Sequence, residues 1–147
     1  MTQLPQRVLL DTNVFIIGFL DNDSEEGKLL DFLASLSNLT LIFSNELELQ
    51  VRRVGKRLKN RDWVGLLLHY IWSTYHVEYV YVHENDVKHV EKTTNIHRED
   101  VRIYLTALHG QVDCMISANR ELLKESMAHQ NRFRCFNAMS FLNEFDN

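Results

Sequence analysis

A chain of 147 residues, 45% of them hydrophobic, is the size of one domain with its own core, and a formal charge of −4 excludes a uniformly basic nucleic-acid coat. The longest clean apolar run, 14–20, falls far short of the ~20 residues that cross a bilayer, and no signal-peptide pattern opens the chain, so neither membrane contact nor export is expected. Cys114 and Cys135 sit in apolar stretches without CxxC spacing, which excludes a zinc ribbon and points to buried thiols of a cytoplasmic protein.

Residues 7–10 form a β-branched and leucine run ending at Asp11 and predict a buried strand; Leu29, Leu30, Leu33 and Leu36 then recur at helical spacing. Residues 39–43 are a second apolar run, after which Ser44 is placed to cap a helix through Lys59. Asp62 is the expected cap of a helix from Trp63 to about Tyr75, apolar over most of its circumference. Residues 77–82 fit either a strand or an extended connection. Val101, Tyr104, Leu105 and Leu108 share one face of a helix over 98–108, with Gly110 as its stop. A buried strand at 114–117, a helix at 121–129, a short strand at 133–136 and a helix at 139–145 complete the chain. Strands alternating with helices predict a parallel sheet covered on both faces, and no linker interrupts residues 1–147, so a single domain is expected.

Open parallel sheets bind ligands beyond the carboxyl ends of their strands, so the informative residues follow the apolar runs. They are Asp11, Thr12 and Asn13 after the first run, Ser44, Glu46, Glu48 and Gln50 after the second, and Ser117 and Asn119 after the strand at 114. Asp100, in the first turn of its helix, can point to the same edge. Six basic residues crowd into 51–62, namely Arg52, Arg53, Lys56, Arg57, Lys59 and Arg61, beside the single acid Asp62.

The segments VLLDTNVFI at 8–16 and EDVRIYLTALHGQVDCMISANRELL at 99–123 resemble the PIN-domain nucleases, and FRCFNAMSFLNEF at 133–145 is similar to that family's last strand and helix. The resemblance implies a PIN-like three-layer α/β/α domain with a short central parallel sheet, and a metal-dependent endoribonuclease whose products carry a 5′-phosphate. Asp11 matches the family's first acid and Asp100 the third, with Ala107 seven positions on; Ser117, Asn119 and Leu123 match its T-x-D/N-x-x-x-L element. The second acid departs from the pattern: six residues beyond the serine that opens the helix stands Gln50. Glu46, one turn earlier on the same helical face, is the substitute the spacing allows. Family members with asparagine at the fourth position usually carry an aspartate three residues later, where this chain has Leu122.

Asp11, Asp100 and Asn119 are therefore the candidate catalytic residues and Asp11 and Asp100 the candidate metal ligands, with Glu46, Gln50, Glu99 and Asp113 available to complete the set. Mg2+ and Mn2+ prefer oxygen ligands, and Mg2+ takes one or two carboxylates beside water and substrate phosphate. Gln50 and Asn119 offer neutral oxygens where a carboxylate would bring charge, so weak metal binding is expected. Thr12, Asn13 and Ser117 are suited to orienting the carboxylates. Arg53, Arg57 and Arg61 recur every four residues and fit a phosphate-binding stripe for RNA.

Each residue also has a plainer role: Asp11 as a turn or cap, Asp100 as a first-turn acid favoured by the helix dipole, Asn119 as a cap and the arginines as a solvated face. Were those roles the whole account, the chain would be a catalytically weak or inactive PIN-fold module that binds RNA or protein. As partners the resemblance implies RNA, an antitoxin protein if the chain is the toxin of a toxin–antitoxin pair, and a second copy meeting through the apolar helices around Trp63 and Trp72. A calcium loop beginning at Asp21 fails because Phe32 stands where its bidentate acid is required, and an aspartyl phosphatase fails because Asn13 replaces the second aspartate.

Overall fold

The computed structural model describes residues 3–146, apart from the side chains of Arg98 and Glu99. Its elements are β1 (Arg7–Leu10), α1 (Thr12–Leu20), α2 (Glu25–Ala34), β2 (Thr40–Ser44), α3 (Asn45–Leu58), α4 (Arg61–Thr74), β3 (His76–Val80), α5 (Glu84–Thr93), α6 (Arg98–His109), β4 (Cys114–Ile116), α7 (Arg120–His129), β5 (Arg134–Phe136) and α8 (Ala138–Phe145). The strands form one sheet, all parallel, in the order β3-β2-β1-β4-β5. The chain thus leaves β1 on one side through β2 and β3, then crosses over to place β4 and β5 on the other. That reversal opens a crevice beyond the carboxyl ends of β1 and β4.

Burial on both faces explains why the central strands read as unbroken apolar runs. Leu9 lies opposite Ile42 of β2 and Met115 of β4, and all three are fully buried. Each such side chain contributes on the order of 1.5–3 kcal/mol when taken from water. Successive residues of β2 serve opposite layers, as the pleat requires. Phe43 meets Phe15 of α1 and Trp72 of α4 edge-on, at 6.0 and 6.4 Å between ring centroids. Ile42 faces the other way, against the end of α6, where a Cβ on Gly110 would sit 2.5 Å from its Cγ2. Gly110 is therefore needed for close approach; the left-handed residue that ends the turn is Gln111, with φ of 51°.

Several boundaries differ from the sequence reading. Residues 14–20, apolar all round, belong to a helix that Asp11 caps. Asn60, not Asp62, caps α4, its side chain accepting from Trp63 N at 2.8 Å. Residues 77–82 resolve into an edge strand followed by a turn that Asn45 pins through Val82 N at 2.9 Å. Helix α5 has only Val87 and Val90 buried, too narrow a stripe to stand out in sequence. Of the two cysteines, Cys114 is buried and Cys135 half-buried, both as free thiols; burial pushes them up to about 12 and about 11.

Candidate functional site

The site begins where β1 ends. Asp11 continues the ladder by donating its N–H to Ile116 O at 2.9 Å, then turns the chain into α1, where its Oδ1 accepts from Thr12 N at 2.7 Å. Its Oδ2 accepts from Ser117 Oγ at 2.7 Å, across the crevice between β1 and β4. Ser117 is fully buried, and its Oγ also accepts from Asn119 N at 2.9 Å. Asn119 caps α7 by accepting from Leu122 N at 3.2 Å, while its Nδ2 donates to Asp100 Oδ2 at 3.2 Å. One hydrogen-bonded chain thus runs Asp11, Ser117, Asn119, Asp100, and it joins acids that lie far apart in sequence.

The electrostatics agree with that convergence. Burial raises the Asp11 carboxyl above the ordinary carboxylate range, the bonds from Ser117 and Thr12 oppose the rise, and repulsion from Asp100 adds to it. A pocket holding two mutually repelling carboxylates, one only 6% exposed, favours a cation.

Facing the acids is α3. Gln50 Oε1 accepts from Thr12 Oγ1 at 2.8 Å, and Arg53 and Arg57 follow one and two turns further along the same face. Together with Asn13, whose Oδ1 accepts from Ala118 N at 3.3 Å, these residues and the two acids line a cavity of about 350 Å3.

Other sequence candidates lie elsewhere. Glu46 does not line the cavity: Arg102 of α6 draws it away, with Nε 3.3 Å from Glu46 Oε1 and its NH2 2.6 Å from Glu84 Oε1. Asp113 lies at the opposite end of the sheet, where Oδ2 accepts from Gln6 N and Arg7 N at 2.8 and 3.0 Å and ties the start of β1 to the start of β4. It cannot complete the set. Arg61 opens α4, beyond the break at Lys59 and Asn60, so the arginine stripe on α3 ends at Arg57. The side chain of Glu99 lies outside the described residues. Trp63 packs against Phe19 at 5.4 Å, whereas Trp72 is 49% exposed and stacks with Tyr79 at 6.3 Å. Sequence reasoning missed Arg102, whose only signal was a basic residue two positions after Asp100 on the polar face of its helix.

Among the described residues no three His, Cys, Asp or Glu side chains converge as a metal site. The oxygen of Gln50 is engaged by Thr12 and that of Asn119 by Leu122 N, which leaves Asp11 and Asp100 as the acidic donors of the cavity. Two carboxylates fall within the one or two that Mg2+ takes from a protein beside water and phosphate, and with only these two acids lining the cavity the residues fit a divalent ion held weakly.

No family model matches the chain, and no curated protein does either. Solved structures do match. The crystal structure of VapBC2 from Rickettsia felis bound to a DNA fragment from their promoter is similar over 90% of this chain and 98% of that one, with 15% identity and a TM-score of 0.63. PAE2754 from Pyrobaculum aerophilum is similar over 95% of this chain and 88% of its own, with 14% identity and a TM-score of 0.59. At such identities the likeness establishes the fold: a PIN-like three-layer α/β/α arrangement on a parallel sheet.

Proposed function

We propose that this PIN-fold chain is a metal-dependent endoribonuclease and the toxin half of a toxin–antitoxin pair. The observation that carries the reading is the meeting of Asp11 and Asp100 in one cavity edged by Arg53 and Arg57. A nuclease needs acids for an ion and a proton beside cations for a polyanion, and a purely structural cap needs neither. The likeness to VapBC2 supports an antitoxin as partner.

Mg2+ or Mn2+, when held by Asp11 and Asp100, supplies positive charge to the phosphodiester and eases deprotonation of water. The remaining work falls to the chain. Ser117 and Thr12 fix the Asp11 carboxylate from two sides, and Asn119 fixes Asp100. Arg53 and Arg57 hold backbone phosphates. A water in the cavity gives up its proton to a carboxylate, its oxygen bonds to phosphorus, and the P–O3′ bond breaks. The products are a 3′-hydroxyl, which takes a proton, and a 5′-phosphate.

The test is incubation of the purified chain with end-labelled single-stranded RNA and Mg2+ or Mn2+, beside Asp11→Asn and Asp100→Asn. Cleavage that both substitutions abolish is the expected result. Cutting that survives either one, or none from the native chain, rejects the reading.

A further inference from the structure

We infer that Gln50 does not substitute for a metal-binding acid but donates to a phosphate oxygen, and that with Arg53 and Arg57 it forms a phosphodiester-binding subsite independent of metal. The inference takes the phosphodiester from the nuclease reading and rests on it for that identity. Three observations carry it.

The first is orientation. Thr12 Oγ1 donates to Gln50 Oε1 at 2.8 Å, so the amide oxygen is turned to α1 and the NH2 group, which has no hydrogen-bond partner among the described residues, is left for the cavity. The two carboxylates favour the same orientation, since they attract the N–H end of an amide and repel its oxygen. The second is periodicity: Gln50, Arg53 and Arg57 stand at i, i+3 and i+7 of α3, and all three line the cavity. Neither arginine makes an ion pair among the described residues, in contrast to Arg52, which pairs with Glu48 at 3.2 Å. The third is the separation of charge. Both acids of the cavity come from the β1 end and α6, whereas the α3 residues that line it, Gln50, Arg53, Val54 and Arg57, include no acid, so an anion is drawn to the α3 wall and a cation to the acids.

A phosphate on that wall accepts from the Gln50 amide and from the forks of Arg53 and Arg57, which match phosphate geometry. A carboxylate at position 50 would reverse the wall, repelling the phosphate and adding a third acid for the ion.

The experiment measures binding of a fluorescent six-nucleotide RNA by anisotropy in EDTA, where no cleavage interferes. The native chain is expected to bind, inorganic phosphate to compete, and Gln50→Glu and Arg57→Ala each to weaken binding about tenfold. Gln50→Met, which keeps the length and loses the donors, is expected to weaken it about threefold. In a separate titration without RNA, Gln50→Glu is expected to bind Mn2+ at least tenfold more tightly, read by electron paramagnetic resonance of the free ion. Thermal melts of each variant verify folding, and Arg57 is exposed, so its variant keeps the test open if position 50 tolerates no change. Native-like RNA affinity of Gln50→Glu in EDTA, or no binding by the native chain without metal, overturns the inference. Failure of the nuclease reading looks different: no metal-dependent cleavage, with the EDTA binding pattern intact.

Discussion

Replacing Asp11 with asparagine should abolish activity and at the same time stabilise the metal-free protein. The carboxylate is buried, and its removal from water costs several kcal/mol. Hydrogen bonds from Thr12 N and Ser117 Oγ, each worth roughly 1.5–3 kcal/mol to a charged oxygen, offset most of that cost. Because the folded-state pKa is raised, with Asp100 adding repulsion, the penalty outweighs the bonds at neutral pH. Asparagine is of equal size, keeps an oxygen for Thr12 N and offers an N–H to Ser117 Oγ. The loss is a weaker bond from Thr12 N and a buried Ser117 hydroxyl that must accept where it had donated; the gain is the whole charge penalty. A net stabilisation on the order of 1 kcal/mol follows, or roughly 2–4 °C in melting temperature for a chain of this length.

The pH dependence fixes the sign. A carboxyl that holds its proton to higher pH when folded destabilises the protein above its folded pKa, and the penalty disappears as pH falls toward the unfolded value near ~3.9. Melting curves in EDTA should therefore separate the native chain from Asp11→Asn at pH 7.5 and bring them together as pH falls. Adding Mn2+ to about ten times its dissociation constant should raise the native chain alone, by about 1.4 kcal/mol. A variant less stable than the native chain at pH 7.5, or a difference that ignores pH, would refute the argument.

Further outcomes follow from single contacts. Ser117→Ala removes a bond that lowers the Asp11 pKa, so the acid limb of the pH–rate profile should move to higher pH, with kcat reduced about tenfold. Asp113→Ala should cost about 1–2 kcal/mol in urea melts, because Gln6 N and Arg7 N lose their acceptor, yet leave cleavage per folded molecule unchanged. Gly110→Ala should cost about 1–3 kcal/mol, since its Cβ would meet Ile42 Cγ2 at 2.5 Å; a melt unchanged within error would show that α6 can shift.

The centre of the parallel sheet and Asp11 were legible because β1, β2 and β4 are short apolar runs followed at once by polar residues. Asp11 and Asp100 stood out through the order of motifs over most of the chain. Helix α1 was hidden, because a run apolar all round carries no period. Position along a helix also proved a poor guide to partners. Glu46 shares a face with Gln50, but Arg102 comes from a different helix and captures it. Arg61 keeps the spacing of Arg53 and Arg57, but the cap at Asn60 starts a new axis before it. Asp113 precedes β4 instead of following a strand, and so lies at the end of the sheet away from Asp11. Such competition between remote segments is invisible in one dimension.

Strand β4 enters the sheet beside β1 only after β2, β3 and six helices have been laid down. On a ribosome, the half-cavity made by β1 and α3 emerges early and waits for Asp100, Ser117 and Asn119. A polypeptide released before residue 117 carries Asp11 without its Ser117 anchor, so the hydrogen-bonded chain that reaches Asp100 closes only after β4 has been made.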